Sequence, residues 1–322
     1  MEYDMSDAVR WAKENGYERV LIQVPDGLIP AAGEIAEQFE SAGIDARVWM
    51  GGNFGACDTV DPNVAGCDAL IHVGHAEMPN LKLDYPVYFH ELRDKTDLIP
   101  AVEGIVSELD PNIGLLTTIQ HVHKLEEVRD FLKDKGINAL IGSPTGRVKY
   151  PGQVLGCNFS PALMVKSKVS MYLYIGTGRF HPLGAAMVTG KRVLALDPQT
   201  GGHEVIEQGE RFLRIRYGLI AKAMDFENAA ILVSAKPGQK RMRTAEQLRR
   251  KAEEKGKKAD ILVMDRISPQ ALLGSKYDIY VSTACPRIAL DDHMSYDKPI
   301  LTVREFEIVL GIRDEWAMDC ML

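Results

Sequence analysis

The sequence predicts an α/β fold: three pseudo-symmetric repeated α/β domains, each a mainly parallel sheet flanked by helices. Two observations carry this. A strand-like apolar run, a polar or glycine-bearing loop and a charged helix that closes near a glycine recur three times, in that order, along the 322 residues. Several of the strands also read as unbroken apolar runs, the pattern of parallel sheets covered on both faces.

Taken in chain order, the N-terminal "MEYDMSDAVRWAKENGYERV" reads as an amphipathic helix. Val20 to Val24 is then the first strand and Glu34 to Ser41 the first repeat's helix. The second repeat, "NIGLLTTIQHVHKLEEVRDFLKDKGINALIGSP", places a helix over Lys124 to Lys135, with apolar Leu125, Val128, Phe131 and Leu132 at helical spacing. A third pass, "NAAILVSAKPGQKRMRTAEQLRRKAEEKGKKADILVMD", closes its helix at Gly256, as Gly43 and Gly136 close theirs. Each of these glycines falls where a left-handed cap is expected. Second strands follow in "DARVWM", "NALIG" and "ADILVMD", and later ones in "DALIHVGHA", "SMYLYIGTG" and "YDIYVSTAC". The expected domains are 1–105, 106–197 and 198–322, a division a chain this long needs because single cores stop growing near about 250 to 300 residues. Triplication of one ancestral unit accounts for the recurrence.

Composition is that of an ordinary globular protein, 46% hydrophobic and 26% charged. A net charge of −7 excludes general nucleic-acid binding and leaves Lys236 to Lys258 as the strongest basic stretch. No apolar run approaches the roughly 18 residues of a membrane span. The N-terminus also lacks the basic start and apolar core of a signal peptide. A cytoplasmic protein with no membrane contact is expected.

Five widely spaced cysteines, without a C-x-x-C pair, do not form a disulfide framework or a compact zinc or ferredoxin signature. Cys57 in "GGNFGACDTVDP" and Cys157 in "PGQVLGCNFSP" occupy matching glycine-bearing loops ahead of a strand. Cys285 follows the strand Ile279 to Ser282, where Pro286 is expected to stop regular structure. Cys67 leads into a buried strand and reads as a small core residue, as free cysteines commonly are, and Cys320 near the chain end reads as incidental. One cysteine per repeat, each at a strand end, gives three thiolates that could converge on one site, because ligands of open α/β sheets sit at carboxyl ends. Three thiolates fit zinc plus water, and better a 4Fe-4S cluster with one iron left open to substrate.

Together "STACPRIALDD", "VLIQVPDGL", "GNFGACD", "YIGTGRFHPLGAAM", "ALDP" and "VSAKPGQKR" closely resemble the archaeal diphthamide synthase family, over essentially the whole chain. The resemblance implies a 4Fe-4S cluster held by Cys57, Cys157 and Cys285. It implies S-adenosylmethionine as substrate, whose 3-amino-3-carboxypropyl group goes to carbon 2 of a histidine in translation elongation factor 2 by a noncanonical radical route. It also implies a homodimer fed by an unidentified electron donor. Gly176 and Gly178, where backbone can approach a ligand closely, are candidate S-adenosylmethionine contacts, with Arg179 and His181 in the same loop. Asp26, Gly27 and Gln239 begin loops of repeats one and three and are candidates for the same cavity, although Asp-Gly and Pro-Gly are also plain turn pairs. Lys240, Arg241 and Arg243 are candidates for docking the acidic protein substrate. His121 and His123 match no metal or acid-base motif. The competing readings are a quinolinate-synthase-like dehydrating 4Fe-4S enzyme and a non-catalytic, electron-feeding subunit.

Overall fold

The computed structural model describes residues 3–207 and 209–321. They form two compact units: one runs to Asp94 and includes Lys236–Gly238, and the other comprises Lys95–Ala235 and the residues from Gln239 onward.

The first unit holds β1 (Arg19–Gln23), β2 (Asp45–Trp49), β3 (Ala69–Val73) and β4 (Val87–His90), all parallel in the order β2-β1-β3-β4. The second unit holds two sheets. One contains β5 (Asn112–Thr117), β6 (Asn138–Leu140), β7 (Met171–Ile175), β8 (Val193–Leu196) and β9 (His203–Ile206), ordered β6-β5-β7-β8-β9, with only β9 antiparallel. The other contains β10 (Asn228–Ser234), β11 (Lys258–Met264), β12 (Ile279–Ser282) and β13 (Ile300–Thr302), all parallel in the order β11-β10-β12-β13. All three sheets therefore place their first strand between the second and the third, with a fourth outside.

The apolar runs are explained by burial on two faces. Successive side chains of a strand point to opposite sides. Leu115, Leu173 and Ile175 enter one hydrophobic cluster, whereas Leu116, Tyr172 and Tyr174 enter a different one. Helix Leu125–Asp134 covers the first of these faces with Leu125, Val128 and Leu132. Helices Ala32–Glu40 and Met242–Glu254 bury Ile35, Ala36 and Phe39, and Ala245, Leu248 and Ala252, in the same manner. Gly43, Gly136 and Gly256 adopt φ of 83°, 82° and 73°, left-handed as the sequence predicts.

Four features depart from the sequence reading. Each sheet has a further parallel strand, β4, β8 or β13, and β9 extends the middle sheet beyond Asp197. Pro286 does not stop regular structure: it is the first residue of helix Pro286–Leu290, where a missing N–H costs nothing. Phe180 opens helix Phe180–Thr189, which puts His181 in a first helical turn and not in a loop. Residues Lys236–Gly238, which follow β10 in sequence, belong to the first unit. Among the described residues no helix is long and apolar enough to cross a membrane.

Candidate metal centre

A parallel sheet of this order has a crevice at the carboxyl ends of its first and third strands, where the crossovers depart in opposite directions. A cysteine-bearing segment is pinned there in each of the three sheets.

In the first sheet, Gln23 ends β1 and its Nε2 donates to the carbonyls of Gly52 (3.0 Å) and Asp58 (2.7 Å). Asn53 Nδ2 donates to the carbonyl of Val73, at the end of β3, at 3.3 Å. Residues 52–58, with Cys57 among them, are thus stretched from β1 to β3. The Asp58 carboxylate accepts from Phe54 N (3.2 Å) and from Lys236 Nζ (2.5 Å), and the ammonium lies 5.3 Å from the Phe54 ring centroid. Gly238 N donates to the Cys57 carbonyl at 3.2 Å, and a Cβ on Gly238 would stand 2.4 Å from Cys57 Cα. No residue with a side chain can make that approach without moving the backbone.

In the middle sheet the segment ahead of Cys157 is bonded to the first strand, and that strand's last residue ties it to the third. Thr117 N donates to the Gly152 carbonyl (3.0 Å) and Val154 N to the Thr117 carbonyl (2.8 Å), so residues 152–154 lie along the end of β5. Thr117 Oγ1 donates to Ile175 O, at the end of β7, at 2.6 Å. Cys157 then falls inside a turn closed by Leu155 and Asn158, whose amides donate to each other's carbonyls at 3.0 and 2.9 Å. Met321 N donates to the Cys157 carbonyl at 2.7 Å, and Asn158 Nδ2 returns a bond to Met321 O at 2.9 Å.

In the third sheet, Thr283 N and Oγ1 both donate to Leu232 O (3.0 and 2.9 Å), crossing from the end of β12 to β10. Cys285 follows as the N-cap of helix Pro286–Leu290. The far end of that helix is held by Arg216, whose Nη1 donates to Ala289 O at 2.7 Å. Arg216 is fully buried against Glu305 at 2.6 Å, and Glu305 also closes a capping box with Thr302. The Arg216 guanidinium and the hydrogen bonds from Thr302 and Trp316 overcome a large burial penalty and hold the Glu305 carboxyl below the usual range.

Cys157 and Cys285 are both adjacent to contacts of Phe180. A Cβ on Gly156 would meet the Phe180 ring at 2.2 Å, and the Arg287 guanidinium stacks on that ring at 4.4 Å. His181 lies next to it, 6.1 Å from Tyr174 in a stacked pair; burial first, then Arg287, push its pKa down to about 4. Cys57, Cys157 and Cys285 are half-buried, whereas Cys67 is buried and its thiol is pushed up by burial. Cys320 packs at the edge of the middle sheet's core; burial first, then Asp319 and Cys157, raise it to about 12.

The other sequence candidates are placed as follows. Asp26 and Gly27 are exposed at the start of a short 3-10 helix, Asp26–Ala31, that follows β1. Gly176 has φ of 149°, and a Cβ there would lie 2.9 Å from the Tyr174 hydroxyl; Gly178 has φ of 79° and open space around it. Arg179 is exposed and paired with Glu204 at 2.9 Å, and Gln239 is buried. Lys240 is exposed, whereas Arg241 is committed to Asp319 at 2.8 Å. His121 is buried ahead of a 3-10 turn. Sequence reasoning missed Gln23, His72 and His75, which form a hydrogen-bonded row: His72 Nδ1 is 3.0 Å from Gln23 Oε1, and His72 Nε2 is 3.1 Å from His75 Nδ1. Gln23 and His72 are 49 positions apart, and no local motif links them.

The donor set fits an iron–sulfur group. Half-buried thiols on immobilised backbone are the soft ligands such clusters take. Two buried polar atoms, Asn53 Oδ1 in the Cys57 segment and Ser282 Oγ at the end of β12, have no hydrogen-bond partner among the described residues. Buried polar atoms are otherwise almost always matched. Among the described residues no three His, Cys, Asp or Glu side chains are grouped so as to hold a metal ion.

The diphthamide synthesis protein family matches the chain over residues 24–321. The 2-(3-amino-3-carboxypropyl)histidine synthase of Pyrococcus horikoshii is 40% identical, over 100% of this chain and 94% of that one. Its namesake from Methanocaldococcus jannaschii is 29% identical, over 94% and 87% of the two chains. The crystal structure of Dph2 from Pyrococcus horikoshii with a 4Fe-4S cluster superposes with a TM-score of 0.93 at 39% identity, covering 100% of this chain and 94% of that one. A match that runs the length of both sequence and fold, with the same three-sheet α/β architecture, makes this chain a member of the archaeal diphthamide synthase family, and its work a step of diphthamide biosynthesis.

Proposed function

We propose that the protein is a 2-(3-amino-3-carboxypropyl)histidine synthase: it transfers the 3-amino-3-carboxypropyl group of S-adenosylmethionine to carbon 2 of a histidine imidazole in translation elongation factor 2. Cys57, Cys157 and Cys285 hold the 4Fe-4S cluster. The proposal includes three repeats, 1–105, 106–197 and 198–322, each contributing one ligand, and a homodimer supplied by an electron donor. The single observation behind it is that each of these cysteines lies on or just after a segment hydrogen-bonded to the first strand of its own sheet.

When bound, the cluster would supply one-electron chemistry: an electron lent to break the bond between the sulfonium sulfur and the γ-carbon, and recovered as the ring gives up its carbon-2 proton. The chain's own residues fix the thiols, exclude water and aim the substrates. Radical addition suits this target because a polar attack at an imidazole carbon competes badly with attack through either nitrogen. In sum, a C–H bond at carbon 2 is replaced by a C–C bond, and methylthioadenosine and one proton are released. Gly176, Gly178, Asp26, Gly27, Arg179, His181 and Gln239 remain the proposed S-adenosylmethionine contacts. Incubating the reduced protein with labelled S-adenosylmethionine and elongation factor 2 tests the reading. Label on the protein with methylthioadenosine as by-product is the expected result; 5′-deoxyadenosine in its place, or no label, contradicts it.

A further inference from the structure

The row Gln23–His72–His75 has a direction that can be read from its hydrogen bonds. Only the amide nitrogen of Gln23 can donate to the two carbonyls of Gly52 and Asp58, so its Oε1 faces His72 as an acceptor. His72 therefore carries its proton on Nδ1 and offers a lone pair at Nε2. His75 in turn donates Nδ1–H to that lone pair, which leaves its own Nε2 unprotonated. Gln23 and His72 are almost wholly buried, at 1% and 0% exposure, whereas His75 is partly buried. The amide that pins the Cys57 segment thus also sets the tautomer of two histidines and leaves His75 Nε2 as a neutral acceptor. A hydrogen bond at one ring nitrogen of a histidine fixes the chemical role of the other. Burial disfavours the alternative of a charged ring: it pushes His75 down to about 4 and, with His75 beside it, His72 well below its ordinary value.

We propose that His75 is a catalytic residue that binds the protein substrate: its Nε2 accepts the ring N–H of the target imidazole. The inference rests on the function proposed above and deepens it. A neutral acceptor suits a neutral N–H donor, while the ammonium of S-adenosylmethionine calls for a carboxylate. An acceptor at the less buried end of the row also suits a side chain that arrives from a separate protein. Occupying one ring nitrogen fixes the tautomer of the target and leaves the adjacent carbon 2 facing the site. Gln23 and His72 are then positioning residues acting through His75.

Two measurements test this independently. Nitrogen-15 spectra of the full chain without cluster or substrate, with His72 and His75 assigned, should show both rings as Nδ1–H tautomers at neutral pH; an Nε2–H tautomer or an imidazolium at His75 overturns the proposal whatever the enzyme does. In the loaded homodimer, His75→Ala should lower kcat/KM for elongation factor 2 by about twofold to tenfold, the loss of one neutral hydrogen bond of about 0.5 to 1.5 kcal/mol, with KM for S-adenosylmethionine unchanged. His75→Gln, which keeps an acceptor, should recover part of it. A rise confined to KM for S-adenosylmethionine, or no change with the protein substrate, contradicts the assignment. Failure of the unaltered enzyme to label elongation factor 2 would sink the proposed function and leave the tautomer result standing.

Discussion

The segments of Cys57 and Cys157 differ instructively from that of Cys285. The first two lie between the second and third strands of their sheets, in irregular backbone, and each presents a carbonyl to an amide from far along the chain: Gly238 for Cys57 and Met321 for Cys157. Cys285 comes directly after the third strand of its sheet, and its carbonyl accepts from Ile288 in its own helix at 3.1 Å. One sheet order therefore supports two ways of fixing a thiol. A loop needs a strap from elsewhere, whereas a helix N-cap is held by the helix and needs only that the helix be anchored. Arg216 supplies that anchor from behind.

The largest expected effect breaks the anchor. Replacing Arg216 by Met strands the fully buried Glu305 carboxylate, and losing one partner of such a pair costs about 3–5 kcal/mol. Urea unfolding should show that loss, and a destabilisation under about 1 kcal/mol would mean the pair does not hold the helix. Gly238→Ala comes next. Its Cβ would be driven into Cys57 backbone, and overpacking of this kind costs about 1–3 kcal/mol. Gly156→Ala should cost less, because it meets only the ring of Phe180, which can turn. Equal costs would show that the Cys57 strap yields as readily as a side chain.

A smaller effect separates strapped from capped cysteines. Truncation after Met318 removes Met321 from the Cys157 carbonyl and Asp319 from Arg241. One such hydrogen bond is worth about 0.5–1.5 kcal/mol, so alkylation of Cys157 in cluster-free protein should quicken by up to about tenfold. The rate at Cys285 should stay the same, and an equal rise at both cysteines would erase the distinction. The smallest effect is a pH dependence. His75 and His181 are held neutral, with folded-state values of about 4 against an ordinary 6.5. Between those values the unfolded chain binds more protons, so the stability these rings contribute is complete above about pH 6.5 and is lost as pH falls toward 4. Thermal unfolding across that range should show a falling melting temperature, shallower in the double variant His75→Gln, His181→Gln.

What the sequence revealed of this arrangement follows physical range. The three helix-closing glycines were legible because a left-handed residue is a local demand. So were β3, β7 and β12, whose residues are buried throughout and read as apolar runs. The strand β4 is only half-buried along its length and β9 is largely exposed, so neither carries a strong pattern. Pro286 was misread because proline both ends and begins helices, and only the backbone before it, at φ −66° and ψ 128°, tells which. Three cysteines at strand ends were visible as positions. The bonds that pin them were not, since Gln23 reaches across 35 residues to Asp58 and Asn158 across 163 to Met321.

The central claim is that Cys57, Cys157 and Cys285 together hold one iron–sulfur group. Anaerobic reconstitution followed by iron and sulfide analysis and an electron paramagnetic resonance spectrum of the reduced protein tests it most directly. The account predicts the content and spectrum of one 4Fe-4S cluster per chain, lost or degraded on changing any of the three to Ala and retained when Cys67 or Cys320 is changed. A full, unaltered cluster in any one of the three variants would contradict it.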